Sequence, residues 1–253
     1  MKRGSVGTNA WAALGGKLRR QDRMRLVGQA LLTRLAALPN RLQRSLGFEP
    51  ARLRHVDVQA IRLPDSRVAV QANEMASALN EPWLFNHCMR TYLWGAMLAQ
   101  VNDIKFDEKL FFTASVLHDL GLTSTHLCQD ASCSCFAVEG ARAARRFVST
   151  HGWSNQRSDQ LAEAISLHLN VRVGLQQSTE AHLLHAGAAL EVIGALARQL
   201  DADAVSHVLG AYPKLSFKTG MAEAMKDQAR ARPTSRAAFL VGLGFIGLLR
   251  AAP

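Results

Sequence analysis

Leu117-His118-Asp119-Leu120-Gly121 sets a histidine and an aspartate side by side at the end of an apolar stretch built on Leu110, Phe111, Ala114 and Leu117. An ionised carboxylate is costly to bury unless it is paired or bound to a metal. A neutral imidazole nitrogen and a carboxylate oxygen both suit a divalent cation of borderline hardness. An ordinary capping pair at a helix C-terminus uses the same residue types, so the dipeptide alone leaves both readings open.

Further polar residues sit in equally apolar surroundings. His87, in Phe85-Asn86-His87-Cys88-Met89-Arg90, falls on the side of Trp94 and Leu98 at helical spacing. His168 closes a segment on the face of Leu161 and Ile165. Glu191 stands mid-helix in Ala188-Ala189-Leu190-Glu191-Val192-Ile193, with Gly187, Ala188, Gly194 and Ala195 three and four residues away. Small residues around an acid let its helix approach a site closely. His185 is a poor companion for Glu191, because six residues on a helix is about 120° around the axis. Glu139 has Phe136 and Ala143 as helical neighbours and is a candidate acid or base; pairing with Arg142 or Arg145 accounts for it equally well. Singly, each of these is more often a core residue than a ligand. Together with His118 and Asp119 they outline a site.

The elements that must position them are helices. Helical periodicity runs through the chain and no convincing series of strands or hairpin turns interrupts it, which predicts an all-α globular bundle. Pro64-Asp65-Ser66 opens a helix with Val68, Ala72, Met75, Ala76 and Leu79 as its apolar stripe. Glu81-Pro82 opens another that runs to about Gln100, and Phe106-Asp107 leads into one ending at Gly121. A polar, cysteine-containing loop over roughly 123–134 suits a lid. Helices are then expected at about 136–151, 157–169, 180–200, 202–210 and 219–230. Ala237 to Leu249, broken by Gly242, Gly244 and Gly247, reads as a buried terminal helix.

The charge is unevenly placed. The net charge is +10, and residues 1–54 hold 12 Lys/Arg against 2 Asp/Glu, so the remaining 199 residues carry 18 of each sign. Residues 1–54 therefore form a basic leader, partly helical, ahead of a neutral body at 55–253. Met1 to Gly16 is Gly-rich and expected to be loosely attached. Leu26 to Leu46 carries Leu and Ala at helical spacing with arginines between, which suits docking on the body or lying on a membrane surface. A weak contact with an anionic surface is the implied partner, with no specific nucleic acid. Four cysteines make no disulfide framework in a chain this long, and Cys128, Cys133 and Cys135 do not match a usual zinc spacing. With no visible secretory signal, a cytoplasmic setting is expected.

In sequence order, these motifs resemble the HD-domain superfamily, and more narrowly its cyanamide-hydratase-like branch. The likeness rests on Arg62-Leu63-Pro64-Asp65-Ser66, on Asn86-His87-Cys88-Met89-Arg90-Thr91-Tyr92 and on Leu117-His118-Asp119-Leu120-Gly121. Phe136-Ala137-Val138-Glu139-Gly140-Ala141 and Ala164-Ile165-Ser166-Leu167-His168 extend it over about residues 60–235. The resemblance implies that His87, His118 and Asp119 ligate a divalent metal. Its fourth ligand is usually aspartate, and Glu191 occupies that place here. It also implies that His168 lies by the substrate or a second metal, with Asp119, His168 and Glu139 as the catalytic group. Zinc is the expected ion, with iron and manganese also suited. The implied activity is hydration or hydrolysis of a small molecule by metal-activated water. An HD phosphohydrolase acting on a nucleotide or phosphate ester, and a non-catalytic metal-binding scaffold, are the alternatives; Arg90, Arg142 and Arg145 are the available phosphate partners.

Overall fold

The computed structural model describes residues 4–36, 56–126, 135–194 and 200–252, and the regular elements among them are all helical. The chain is an all-α bundle. Among the described residues no helix is long and apolar enough to cross a membrane.

Two helices form the centre. The first, α4 (Pro82–Asn102), begins with proline in its first turn, where a missing N–H costs nothing. It is buried on every side from His87 to Ala99, as expected of a helix apolar all round. The second, α5 (Glu108–Leu117), is capped by Asp107, whose carboxylate accepts the Leu110 N–H at 3.0 Å. Every residue from Leu110 to Leu117 is buried. Around this pair lie α3 (Arg67–Leu79), α6 (Phe136–Thr150), α7 (Asn155–Leu167) and α8 (Thr179–Ile193). Helix α5 touches α3, α4, α6, α7 and α8, while α4 runs along α8 and α6 along α7. The end of α5, where His118 and Asp119 stand, is thereby delivered to the middle of the molecule.

Two close approaches set the depth of packing. A Cβ on Gly187 of α8 would stand 2.3 Å from the Thr91 carbonyl oxygen of α4 and 3.1 Å from the Gly95 nitrogen. A Cβ on Gly121 would stand 2.0 Å from the Phe136 carbonyl oxygen. The short 3-10 turn Leu120–Leu122 is thus pressed against the first turn of α6.

A second apolar cluster joins the amino-terminal residues to the carboxyl-terminal helices. The short helix α1 (Asn9–Ala13) places Trp11 at 0% exposure, in a cluster with Leu18, Leu26, Phe217, Met221 and Phe239. The Arg236 guanidinium stacks over the Trp11 ring, 5.0 Å from its centroid. The Asn9 amide N–H donates to Glu163 at 3.0 Å. This corrects the expectation that Met1 to Gly16 is loosely attached: one tryptophan supplies enough apolar area to dock the segment. The basic helix α2 (Arg20–Ala36) follows, and the rest of the expected 26–46 segment lies outside the described residues.

Other boundaries follow local chemistry. Helix α8 stops at Gly194, which takes a left-handed conformation at φ 65°, so the helix expected over 180–200 ends early; 195–199 lie outside the described residues. Helices α9 (Ala202–Ala211) and α10 (Phe217–Ala231) fall close to their expected places. The terminal segment is two short helices rather than one, α11 (Arg236–Gly242) and α12 (Phe245–Ala251), separated at Gly244 with φ 91°. Leu248 is half exposed there, so the segment is only partly buried.

Replacing Gly187 with alanine should force α8 off α4 and cost about 1–3 kcal/mol or more, as overpacking does, measured by denaturant unfolding. Trp11→Ala should cost about 3–5 kcal/mol, the range for emptying a large core site. A chain lacking residues 1–16 should melt at a clearly lower temperature for the same reason.

Candidate metal centre

Two helix ends and one helix interior bring the polar groups together. His87 comes from the first half of α4. His118 and Asp119 follow the last turn of α5, and His168 follows the last turn of α7. Their exposures are 1%, 1%, 2% and 7%, so all four are buried. His118 and His168 share one local device. The Nδ1 of His118 lies 2.7 Å from the Ser115 carbonyl oxygen, three residues back, and the Nδ1 of His168 lies 2.6 Å from that of Ile165. A carbonyl can only accept, so each Nδ1 carries a proton and each Nε2 is the atom left to face the site.

Three Nε2 atoms, with His87 as the third, converge on one carboxylate. Asp119 Oδ2 lies 3.2 Å from His118 Nε2 and 3.4 Å from His87 Nε2, and Asp119 Oδ1 lies 3.6 Å from His168 Nε2. The His118 ring stands edge-on to His168 with centroids 4.8 Å apart, and tilted to His87 at 5.2 Å. One donor atom from each of His87, His118 and Asp119 lies within 4.8 Å of the others. Ligand atoms held about 2.1 Å from a tetrahedral ion stand roughly 3.4 Å apart, so the spacing fits. The chemistry of the donors fits as well: two imidazole nitrogens and one carboxylate oxygen, with a third imidazole beside them. The His87 Nδ1 is buried without a hydrogen-bond partner; its ring is held instead by stacking on Phe217, with centroids 4.8 Å apart and planes 21° apart.

The charge states follow from burial and neighbours. Burial pushes the His87 and His168 imidazoles down, with His118 adding to the effect, and His168 falls to about 3. Both are neutral at neutral pH. Burial alone would raise the Asp119 carboxyl, yet His118, His87 and His168 hold it well below its ordinary range. Burial alone would lower the His118 imidazole, yet the Asp119 carboxylate raises it well above its ordinary value, so the two form a buried ion pair.

Glu191 has a different place from the one expected. Its Oε1 accepts the Arg90 Nε–H at 2.8 Å and a second bond from Arg90 Nη2, and its Oε2 accepts the Trp94 indole N–H at 2.7 Å. With Arg90 0% and Glu191 5% exposed, this is a buried ion pair. Both carboxylate oxygens are engaged, and Glu191 is outside the donor group of His87, His118 and Asp119. The expectation that it supplies the fourth ligand is corrected on that geometry. Its charge acts on His87 through space. Burial would raise its carboxyl, and the Arg90 guanidinium keeps it below the ordinary value.

Glu139 is an ion-pair partner: its Oε1 accepts from Arg142 Nη1 at 3.0 Å, and its side chain is 19% exposed. Of the cysteine cluster, Cys128 and Cys133 lie outside the described residues, as does the core of the expected lid. Cys135 is buried beside Arg236, with Sγ 3.3 Å from Nη2. His185 turns out to support the site, its Nδ1 bonded to the His168 carbonyl oxygen at 3.0 Å. Trp94 reads in the sequence only as an apolar position, and Phe217 is not singled out there at all. Nothing in the sequence marked them as partners of Glu191 and His87.

No model of a known protein family matches the chain, and no curated protein matches it. The site has to be understood from its own chemistry.

His118→Ala, Asp119→Ala and His168→Ala should each lower bound divalent metal sharply while keeping the helical circular-dichroism signal. Glu191→Gln should instead leave metal content near wild type and lower stability by about 3–5 kcal/mol, the range for breaking a buried pair. Metal analysis beside denaturant unfolding separates the two outcomes.

Proposed function

We propose that this chain is a metal-dependent enzyme of the HD-domain kind, activating water for hydration or hydrolysis of a small molecule. The observation that carries the proposal is the convergence of three imidazole Nε2 atoms on the buried Asp119 carboxylate, at 3.2, 3.4 and 3.6 Å. His87, His118 and Asp119 would hold the ion, and His168 is the nearest candidate for a fourth position. A divalent ion bound there would lower the pKa of a bound water, to about 7 in favourable sites, and polarise a substrate nitrogen or oxygen.

The chain's own groups have distinct tasks in this scheme. Asp119 presents Oδ2 toward His87 and His118, leaving Oδ1 on the side of His168 to orient water. His168 is neutral, so its Nε2 would offer the ion a lone pair at that fourth position. The apolar walls exclude bulk solvent, which strengthens every electrostatic interaction inside.

The geometry favours a small neutral substrate over a phosphate ester. Arg90 is committed to Glu191, Arg142 to Glu139 and the Ala12 carbonyl, and Arg145 to Asp159. The three arginines that might have clamped a phosphate already have partners. The resemblance to cyanamide-hydratase-like proteins points to a nitrile-like group as the first substrate to try.

The test is metal analysis of protein purified without chelator, followed by assay on cyanamide, simple nitriles and nucleotide phosphate esters. Close to one ion per chain is expected, with hydration of the nitrile-like substrates. Activity should disappear with chelator, return with metal, and be lost in Asp119→Asn. Folded protein without metal would sink the proposal. Stoichiometric metal with no turnover would favour a binding scaffold, and turnover of phosphate esters alone would favour a phosphohydrolase.

A further inference from the structure

Helix α2 is anchored along one side only. Leu18, just before it, and Leu26 are buried, and Asp22 is 8% exposed with its carboxylate accepting the Arg19 backbone N–H at 3.0 Å. The Arg23 guanidinium donates to the Pro233 carbonyl oxygen at 2.6 Å. The opposite side faces outward. Met24, Val27, Leu31 and Leu35 recur at intervals of three and four, so they form one stripe, about 180° around the axis from Asp22 and Leu26. Their exposures are 75, 46, 57 and 50%, with Leu32 beside them at 66%. A Cβ built on Gly28, inside the stripe, would meet nothing within 4 Å. Five large apolar side chains on one helix face exceed the scattered exposure that is normal for a soluble surface.

The charge around the stripe selects its partner. Arg20 and Arg25 are exposed on the same helix. Residues 1–54 carry the whole net charge of +10, while the rest of the chain is neutral. A nucleic acid would answer the arginines through its phosphates but has no use for a leucine stripe. A second copy of the chain would match the leucines but bring two cationic leaders together. An anionic lipid surface satisfies both at once.

We propose that α2 is a membrane-surface contact. It lies in the interface of a bilayer containing anionic lipid, with Met24, Val27, Leu31, Leu32 and Leu35 in the acyl boundary and its arginines among the headgroup phosphates. The anchored face of Leu18, Asp22 and Leu26 keeps the body attached to the helix and outside the bilayer. The proposal is independent of the metal centre.

The test is co-sedimentation of the full chain with phosphatidylcholine vesicles, with and without phosphatidylserine, over a range of salt. Binding should require phosphatidylserine and fall steeply as salt rises, because the attraction acts within a Debye length. The double variant Leu31→Glu/Leu35→Glu should lose about tenfold or more in partitioning, since each leucine contributes buried apolar area. Its melting temperature should not fall, because both side chains are exposed. Arg20→Glu/Arg25→Glu should weaken binding only to the anionic vesicles. Wild-type protein that stays in the supernatant at low salt would overturn the proposal, as it would if the stripe were covered by another part of the chain. Equal binding by the double leucine variant would overturn it in favour of charge alone. A concentration-dependent dimer without vesicles, lost in the leucine variant, would overturn it in favour of self-association.

Discussion

An ionised carboxylate at 2% exposure, close in sequence to the fully buried Leu117 and Leu120, is the constraint around which this protein is arranged. Removing Asp119 from water carries a desolvation penalty that the adjacent His118 imidazolium offsets in part. Its electrostatic partners are three imidazoles, each from a different part of the chain. Helix α5 has to end where it does, so that His118 and Asp119 emerge together at the centre of the bundle. Gly121 has to be glycine, because the turn that follows is pressed against the Phe136 carbonyl. The Nδ1 bonds of His118 and His168 to carbonyls in their own last turns orient both rings without calling on any distant group. The same three Nε2 atoms that face the Asp119 carboxylate compose, together with it, a candidate divalent-metal donor set.

A second buried acid is handled in the opposite way. Glu191 is neutralised by Arg90 and Trp94, so it becomes a structural link where Asp119 is a chemical one. The link is broad. Arg90 also donates to the Tyr212 and Pro213 carbonyl oxygens at 2.9 and 3.0 Å, tying α4 and α8 to the turn before α10. That turn leads into Phe217, the first residue of α10, which stacks on His87 and lies 5.5 Å beneath the Arg90 guanidinium. The ion pair thus sets the ring plane of His87 through two intermediaries. A charge pair buried this deeply adds little net stability over an apolar substitute, and its value lies in the single arrangement it enforces.

The amino-terminal region has two physical characters within a few turns of chain. Trp11 and Leu26 belong to the core, and α1 completes a cluster whose other members are as distant as Phe239 and Leu249. Beyond Leu26 the outward face of α2 is leucine-rich and unshielded among the described residues. Charge bookkeeping treats residues 1–54 as one leader. Among residues 4–36 of that leader, packing separates a segment the fold requires from a helix face the fold leaves open.

Much of this was legible in the residues themselves. The 3.6-residue apolar period predicts helices for nearly every observed element, because burying one stripe of a helix requires that period wherever it occurs. His87, His118, Asp119 and His168 stand out because polar residues interrupt otherwise apolar periods, and the structure brings all four to one place. What sequence could not decide was partnership. Glu191 satisfied every local criterion for a ligand, including its small neighbours, yet Gly187 among them serves the contact of α8 with Thr91 and Gly95 on α4. That contact carries the acid to Arg90 and Trp94, about a hundred residues earlier in the chain. Trp11 likewise sits in a Gly-rich run that reads as loose, and only the cluster it joins with Leu26, Phe217, Met221 and Phe239 gives it a place to go. Local chemistry determines which groups are costly to bury; the packing of distant helices decides which partners meet that cost.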